Sequence, residues 1–205
     1  TNAATTNGVW LEAASIHVAS NASIDVSGTS VKTNTMRDGY CGYAGGSHGG
    51  RGGTYVTTGV SGPTYGSWTN PVDAGCAGAG NPANGRGGGV VHVKTDVLVL
   101  EGWIKADGAL TNGSTGAGAG GSVWLEVGTL SGSGSVSANG GNARNNAYSE
   151  SGGGGGRIAI YYGQTNGFDL GRVTAYGGTQ GYSGYGGAGG AGTVYLKDAN
   201  AAMGR

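Results

Sequence analysis

Chemistry in this sequence would have to come from a short set of side chains. Glu12 and Glu126 sit at equivalent places in the matching tetrapeptides Val9-Trp-Leu-Glu12 and Val123-Trp-Leu-Glu126. Carboxylates about 5–9 Å apart can cleave glycosidic bonds. These two belong to non-adjacent copies of a repeat, however, and their expected role is as solvated rungs on the outer face of a sheet. His17, His48 and His92 have no Cys or His partner at metal-ligand spacing. His17 and His92 fall at alternate strand positions and are expected as surface rungs. His48, in a glycine-rich stretch, is expected to be exposed. G-x-G-x-x-G matches occur, among them Gly116/Gly118/Gly121 and Gly184/Gly186/Gly189. Such a loop cradles pyrophosphate where its third glycine opens a helix; here strand-forming residues follow instead. The sequence has no Gly-Lys-Ser/Thr loop. The glycine tracts also lack the fixed aspartate of calcium-binding nonapeptides. The reading therefore assigns no catalytic residue, no cofactor and no metal, and the chain is expected not to be an enzyme.

Two further groups could bind rather than react. Arg51, Arg86 and Arg157 lie in or beside glycine tracts. A guanidinium can satisfy several backbone carbonyls at once, so structural bracing is expected, with anionic-glycan binding as the alternative. Aromatic residues gather in the glycine-rich stretches: Tyr40, Tyr43, Tyr65, Trp68, Tyr148, Tyr182 and Tyr185. Tyrosine beside glycine suits a surface that binds without a charge pattern. Sugar stacking, contact with a neighbouring subunit and simple cover for the glycine segments all remain open.

The elements that must position these residues emerge from self-similarity. Val9-Trp-Leu-Glu12 and Val123-Trp-Leu-Glu126 have weaker copies in Val91-His-Val-Lys94, Ile158-Ala-Ile-Tyr161 and Val194-Tyr-Leu-Lys197. The last four anchors begin at 91, 123, 158 and 194, and Tyr55-Val-Thr is one degenerate copy more. A second short strand follows each of the first four: Ile24-Asp-Val, Ile104-Lys-Ala, Val136-Ser-Ala and Val173-Thr-Ala. Between the two lies a minor apolar element, Ile16-His-Val18, Leu98-Val-Leu100, Leu130 or Leu170. Alternation and β-branched residues predict strands of three to six residues, not helices. The anchors should stack in one column, with Val9, Leu11, Val123, Leu125, Ile158 and Ile160 inward and Trp10 and Trp124 outward, or the reverse as a set.

Composition sharpens the architecture. Glycine fills 50 of 205 positions, only 37% of residues are hydrophobic, and 11 basic side chains balance 11 acidic ones. A core this thin suits a stacked, quasi-one-dimensional solenoid better than a multilayer globule. The fold expected is all-β, a parallel β-helix-like solenoid with glycine-rich, polyglycine-II-like excursions, as a single domain over residues 1–205. Glycine tracts can adopt an extended helix without internal hydrogen bonds and pack side by side. The balanced charge removes the electrostatic term that nucleic-acid binders use. No apolar run is long enough to span a bilayer, so neither nucleic acid nor membrane insertion is expected.

The run Gly49-Gly-Arg-Gly-Gly53, then Tyr65-Gly-Ser67, Asn70-Pro71 and Ala106-Asp-Gly108, continues into Gly120-Gly-Ser-Val-Trp, Ala138-Asn-Gly-Gly and Gly152-Gly-Gly-Gly-Gly-Arg-Ile-Ala-Ile-Tyr161. In that order, over about residues 40–196, it resembles the glycine-rich β-helical repeat modules of very large secreted or surface proteins of microbes. The resemblance implies an extracellular or cell-surface, multi-copy, structural or adhesive setting, and brings no catalytic residues with it. Cys41 and Cys76 depart from that pattern. In such a compartment an even cysteine count favours a disulfide, whose loop closure contributes about 3–4 kcal/mol. Asn21-Ala-Ser and Asn112-Gly-Ser are glycosylation acceptors only in a eukaryotic source. The function expected is self-association into a filament or surface layer, as a subunit or as a segment of a larger protein. Partners are then identical chains or neighbouring modules, with glycans as the alternative. Val9, Leu11, Val194 and Leu196, at uncapped solenoid ends, are the expected contacts.

Overall fold

In the structure, a computed structural model, residues 8–32, 43–55, 60–80, 85–111, 115–144, 150–181 and 185–200 are described. Five strands form one parallel sheet in the order β1-β3-β5-β7-β9: β1 (Gly8–Val18), β3 (Val90–Leu100), β5 (Ser122–Ser131), β7 (Arg157–Asn166) and β9 (Thr193–Asp198). Four short strands form a second, in the order β2-β4-β6-β8: β2 (Ser23–Asp25), β4 (Trp103–Lys105), β6 (Ser135–Ser137) and β8 (Val173–Thr174). Every pairing between these strands is parallel. A single 3-10 turn, Leu170–Arg172, is the only helical element among the described residues. The chain is all-β.

The anchors stack as their sequence similarity requires. Val9 pairs with Val91, Val91 with Val123, Val123 with Ile158 and Ile158 with Val194. In the short sheet, Ile24, Ile104, Val136 and Val173 are likewise in register. Branched side chains suit a pleated, half-buried surface, and period-two alternation sends them to one side. Leu98, Leu100, Ile104, Leu125, Leu130, Ile158 and Ile160 are fully buried between the elements.

Three expectations need correction. Strands β1, β3, β5 and β7 run to 10 or 11 residues, not three to six, because Ile16-His-Val18 and Leu98-Val-Leu100 are the far halves of β1 and β3; β9 has six. Val91, Val93 and Thr95 are buried on alternate residues, and so are Leu98 and Leu100, but the phase slips between the two sets. The ladder skips the slip residue in neighbouring strands, at Ala14, Asp96, Gly128 and Gly163. One unpaired residue bends each strand, as a bulge does, so that both halves face the same interior. A Cβ on Gly128 would stand 2.6 Å from the Asp96 carbonyl oxygen, so the bend is close-packed. Finally, Tyr55 is not an anchor. It forms an isolated antiparallel bridge to Gly186, and β1 pairs directly with β3. The intervening stretch feeds the glycine-rich layer.

In that layer the hydrogen bonds repeat every three residues. Along 151–156, Ser151 and Gly154 donate to Tyr43 and Gly46, Gly152 and Gly155 to Gly187 and Gly190, and Gly153 and Gly156 to Gly141 and Ala138. Successive N–H groups thus reach three different neighbouring segments, two parallel and one antiparallel. Segment 116–121 keeps the three-residue period, with 151–154 as its parallel neighbour and 76–79 and 106–109 as its antiparallel ones. Glycine is required by proximity: a Cβ on Gly118 would stand 1.8 Å from the Arg86 carbonyl oxygen. The last glycine before each interior long strand, and before β9, donates back to the end of a short strand. These bonds are Gly89 to Val26, Gly121 to Ala106, Gly156 to Ala138 and Gly192 to Ala175.

Candidate functional site

Three regions hold the chemistry-bearing residues. The first is the outer face of the long sheet. Register there lines up Trp10, His92 and Trp124 in one column and Glu12, Lys94 and Glu126 in the next. His92 stacks on Trp124 with ring centroids 4.1 Å apart, and Trp10 meets His92 edge-on at 4.8 Å. His92 Nε2 lies 2.8 Å from Glu126 Oε1, and Lys94 Nζ lies 2.9 Å from Glu12 Oε1. Lys94 therefore stands in register between the two glutamates. Its bond to Glu12 pulls that carboxyl below its ordinary pKa and raises the lysine, a surface effect that salt will screen. A carboxylate held this way is not poised as a general acid. A groove of about 590 Å³ crosses the strands at their bend, lined by Glu12, Lys94, Asp96, Glu126, Tyr161 and Tyr162, among others.

The second region is buried where residues 47–55 and 60–76 fold over the glycine layer and the start of β7. His48 is fully buried, which corrects its expected exposure. A single-sequence view sees flanking glycines, whereas packing of those glycines against other tracts encloses the ring. His48 Nδ1 lies 2.9 Å from the Gly120 carbonyl oxygen. A carbonyl only accepts, so Nδ1 carries the proton and Nε2 is left as an acceptor, which has no hydrogen-bond partner. Burial is the main cause that pushes the His48 pKa down to about 4; the Gly120 bond opposes it, and the Arg157 charge adds to it. The Tyr65 ring packs against His48 at 4.8 Å, Lys32 Nζ stands 4.0 Å over it, and its hydroxyl donates to the Ala74 carbonyl at 2.6 Å. Cys76 Sγ is 3.1 Å from the same hydroxyl. Burial raises both the phenol and the Cys76 thiol above their ordinary values. A thiol raised by burial is a poor nucleophile, so these neighbours do not make an activated pair. They act as packing and bracing. Arg157 Nε donates to the Tyr65 carbonyl at 2.7 Å, and Arg51 donates to the Ser61 carbonyl at 3.2 Å, the bracing expected of both.

The third region comprises the two open edges of the long sheet. Val123, Leu125, Ile158 and Ile160 are 0% exposed, but Leu11 is 37%, Val194 41% and Leu196 38% exposed. Val9 is half-buried. These four face inward like their interior counterparts, and each lacks a strand on one side among the described residues.

The expected aromatic set does not form one surface. Trp68 lies on the outer face, edge-on to Tyr195 at 5.1 Å, and Tyr195 meets Tyr161 at 5.6 Å. Tyr43 packs on Tyr55 at 5.3 Å and Tyr185 follows at 6.4 Å, beside the glycine layer. Tyr65 is internal. Tyr40, Tyr148, Tyr182 and Cys41 lie outside the described residues, and with Cys41 so does the Cys41–Cys76 pairing. The reading by residue type missed Asp73, Asp107, Asn139 and Asn142. The Asp107 carboxylate accepts from Asn139 N at 2.7 Å and Ser137 Oγ at 2.9 Å, and burial raises its pKa. Asn139 and Asn142 Oδ1 accept from Tyr176 N and Thr179 N at 2.8 Å. The recurring Ala106-Asp-Gly and Ala138-Asn-Gly triplets carried that signal, as side chains able to accept from the backbone of the next copy. The Gly116–Gly121 match leads straight into β5 and spends its N–H groups on neighbouring tracts, as expected of a match with no phosphate to hold. No family model matches this sequence, and no curated protein and no solved structure matches it either.

Proposed function

We propose that the chain is a structural, self-associating module of an extracellular or cell-surface assembly, working by association and not by turnover. Its architecture is a parallel β-helix-like solenoid with polyglycine-II-like excursions. The glycine-to-short-strand bonds that recur in successive copies support the first part, and the three-residue hydrogen-bond period supports the second. The observation that carries the function is the contrast between edge and interior. Leu11, Val194 and Leu196 are more than a third exposed, and the residues in register with them in the interior strands are sealed. Open parallel edges with inward-facing aliphatic residues are templates for a further strand. The test is sedimentation of the isolated chain over a wide concentration range. Assembly that grows with concentration supports the proposal, and a monomer throughout refutes it. A Cys41–Cys76 disulfide belongs to the same proposed compartment and would replace the free Cys76 thiol described above: alkylation of the unreduced, denatured chain should then label neither cysteine.

A second reading, glycan binding, draws on the groove across the outer face. Against it, the His92 and Trp124 rings are stacked on one another, and sugars stack on open ring faces. Titration with neutral and acidic oligosaccharides decides it, through saturable heat that Trp68→Ala or Glu126→Gln abolishes.

A further inference from the structure

We propose that copies join head to tail, with β9 of one copy parallel to β1 of the next and Lys197 opposite Glu12. The inference rests on the self-association reading above and specifies its contact. Each inward column of the long sheet is a series of branched aliphatics: Val9, Val91, Val123, Ile158 and Val194 in one, and Leu11, Val93, Leu125, Ile160 and Leu196 in the other. What each edge lacks is a strand with two such residues at two-residue spacing. The opposite edge carries that pair.

The outer columns select the same partner. One reads Glu12, Lys94, Glu126, Tyr161, Lys197, with Lys94 bonded to the carboxylate before it. Lys197 stands 5.6 Å over the Tyr161 ring, and among the described residues no carboxylate lies within ion-pair distance of it. A following Glu12, 73% exposed at its side chain, supplies one and restores the alternation. The neighbouring column ends at Tyr195, flanked by the exposed Trp68, and a following Trp10, also exposed, continues its rings. A twofold contact would set β1 against β1 or β9 against β9 as antiparallel pairs, in a molecule whose strand pairs are all parallel. It would also bring carboxylate toward carboxylate or ammonium toward ammonium, an arrangement that disfavours cross-strand pairing. A head-to-tail contact is heterologous, so it need not close and can continue as a filament.

Edge-blocked chains test this directly. Leu11→Lys blocks one edge and Leu196→Lys the other, both at positions already partly exposed, with circular dichroism to verify the fold. Where either fails to fold, Val9→Lys and Val194→Lys repeat the test. Each variant alone should remain monomeric, and a 1:1 mixture should form a heterodimer that grows no further. A blocked variant that dimerises by itself overturns the head-to-tail contact while leaving self-association standing. Wild-type chains that never associate overturn self-association itself. Lys197→Glu should weaken assembly about three- to tenfold at low salt, with the difference shrinking toward 1 M salt. An unchanged affinity overturns the Glu12–Lys197 register.

Discussion

The long sheet and the glycine-rich layer satisfy the same backbone in different ways. In the sheet each interior strand bonds to two neighbours in one plane, and side chains on one face fill the interior. In the glycine layer successive N–H groups point to three neighbours, and backbones approach so closely that no side chain fits between them. The sheet is stabilised mainly by apolar burial, which tolerates trimming at a graded loss. The layer is held by hydrogen bonds and contact between main chains, which tolerates a missing atom but not an added one. Sensitivity to substitution should therefore invert between the two regions.

The largest effect belongs to the layer. Gly153→Ala would place a Cβ 1.9 Å from the Gly118 carbonyl oxygen, in a segment bonded on three sides. Only backbone can give way, so the loss should reach about 4 kcal/mol or more in urea unfolding, a magnitude reserved for strain of this kind. Gly167 sharpens the contrast as a control, since nothing lies within 4 Å of its Cβ position. Its φ of +80° still makes alanine strained there, but the loss should be clearly smaller.

Next comes the interior of the sheet against its edge. Leu125→Ala should cost about 2–5 kcal/mol. Leu11→Ala, in the same column but 37% exposed, should cost about 1 kcal/mol or less in the dissociated chain. Equal losses would mean that the edge is sealed in the isolated chain, and would break the comparison between open and interior strands.

Acid should act on the layer through His48. Its folded pKa of about 4 lies below the ordinary histidine value of 6.5, so the unfolded chain takes up the proton first. The stability associated with a neutral His48 is whole above pH 6.5 and is lost as the pH falls from 6.5 toward 4, by up to about 3 kcal/mol. Asp107 works in the opposite sense, because burial raises its carboxyl. His48→Asn, whose amide can still donate toward Gly120, should flatten the slope of unfolding free energy between pH 6.5 and 4. A slope unchanged by that substitution would assign the acid sensitivity elsewhere. The smallest effect is expected on the outer face: Glu12→Gln should leave the melting temperature of the monomer unchanged at physiological salt, since exposed ion pairs contribute little.

The stacking of the long sheet was legible because its signal is local. Val-x-Leu or Ile-x-Ile on alternate positions, preceded by glycine, specifies a strand, a buried face and a partner of the same pattern. Trp10 and Trp124 fall on the outer side for the same reason. The bend was not legible, because the slip residue is Ala14, Asp96, Gly128 or Gly163, which have no shared side-chain type. Tyr55 misled because Tyr-Val-Thr has strand propensity at the right spacing, and propensity cannot exclude a segment whose neighbours in space are glycine tracts. Val9, Leu11, Val194 and Leu196 were expected as end-to-end contacts; the structure gives their exposure, more than a third for Leu11, Val194 and Leu196 and less for Val9, and the contact itself is the proposal above.

By itself, then, the sequence determined that the five aliphatic anchors are strands, that their alternate residues share a face and that they stack in register, because side-chain type at period two carries that information along the chain. Only the tertiary structure decided how the glycine tracts pack, which carbonyl each N–H meets, and that His48 lies inside with Tyr65 packed against it. Glycine has no side chain with which to encode a partner. The neighbours of a tract such as 151–156 come from 43–46, 138–141 and 187–190, and their identity is settled by where the strands on either side have already placed the backbone.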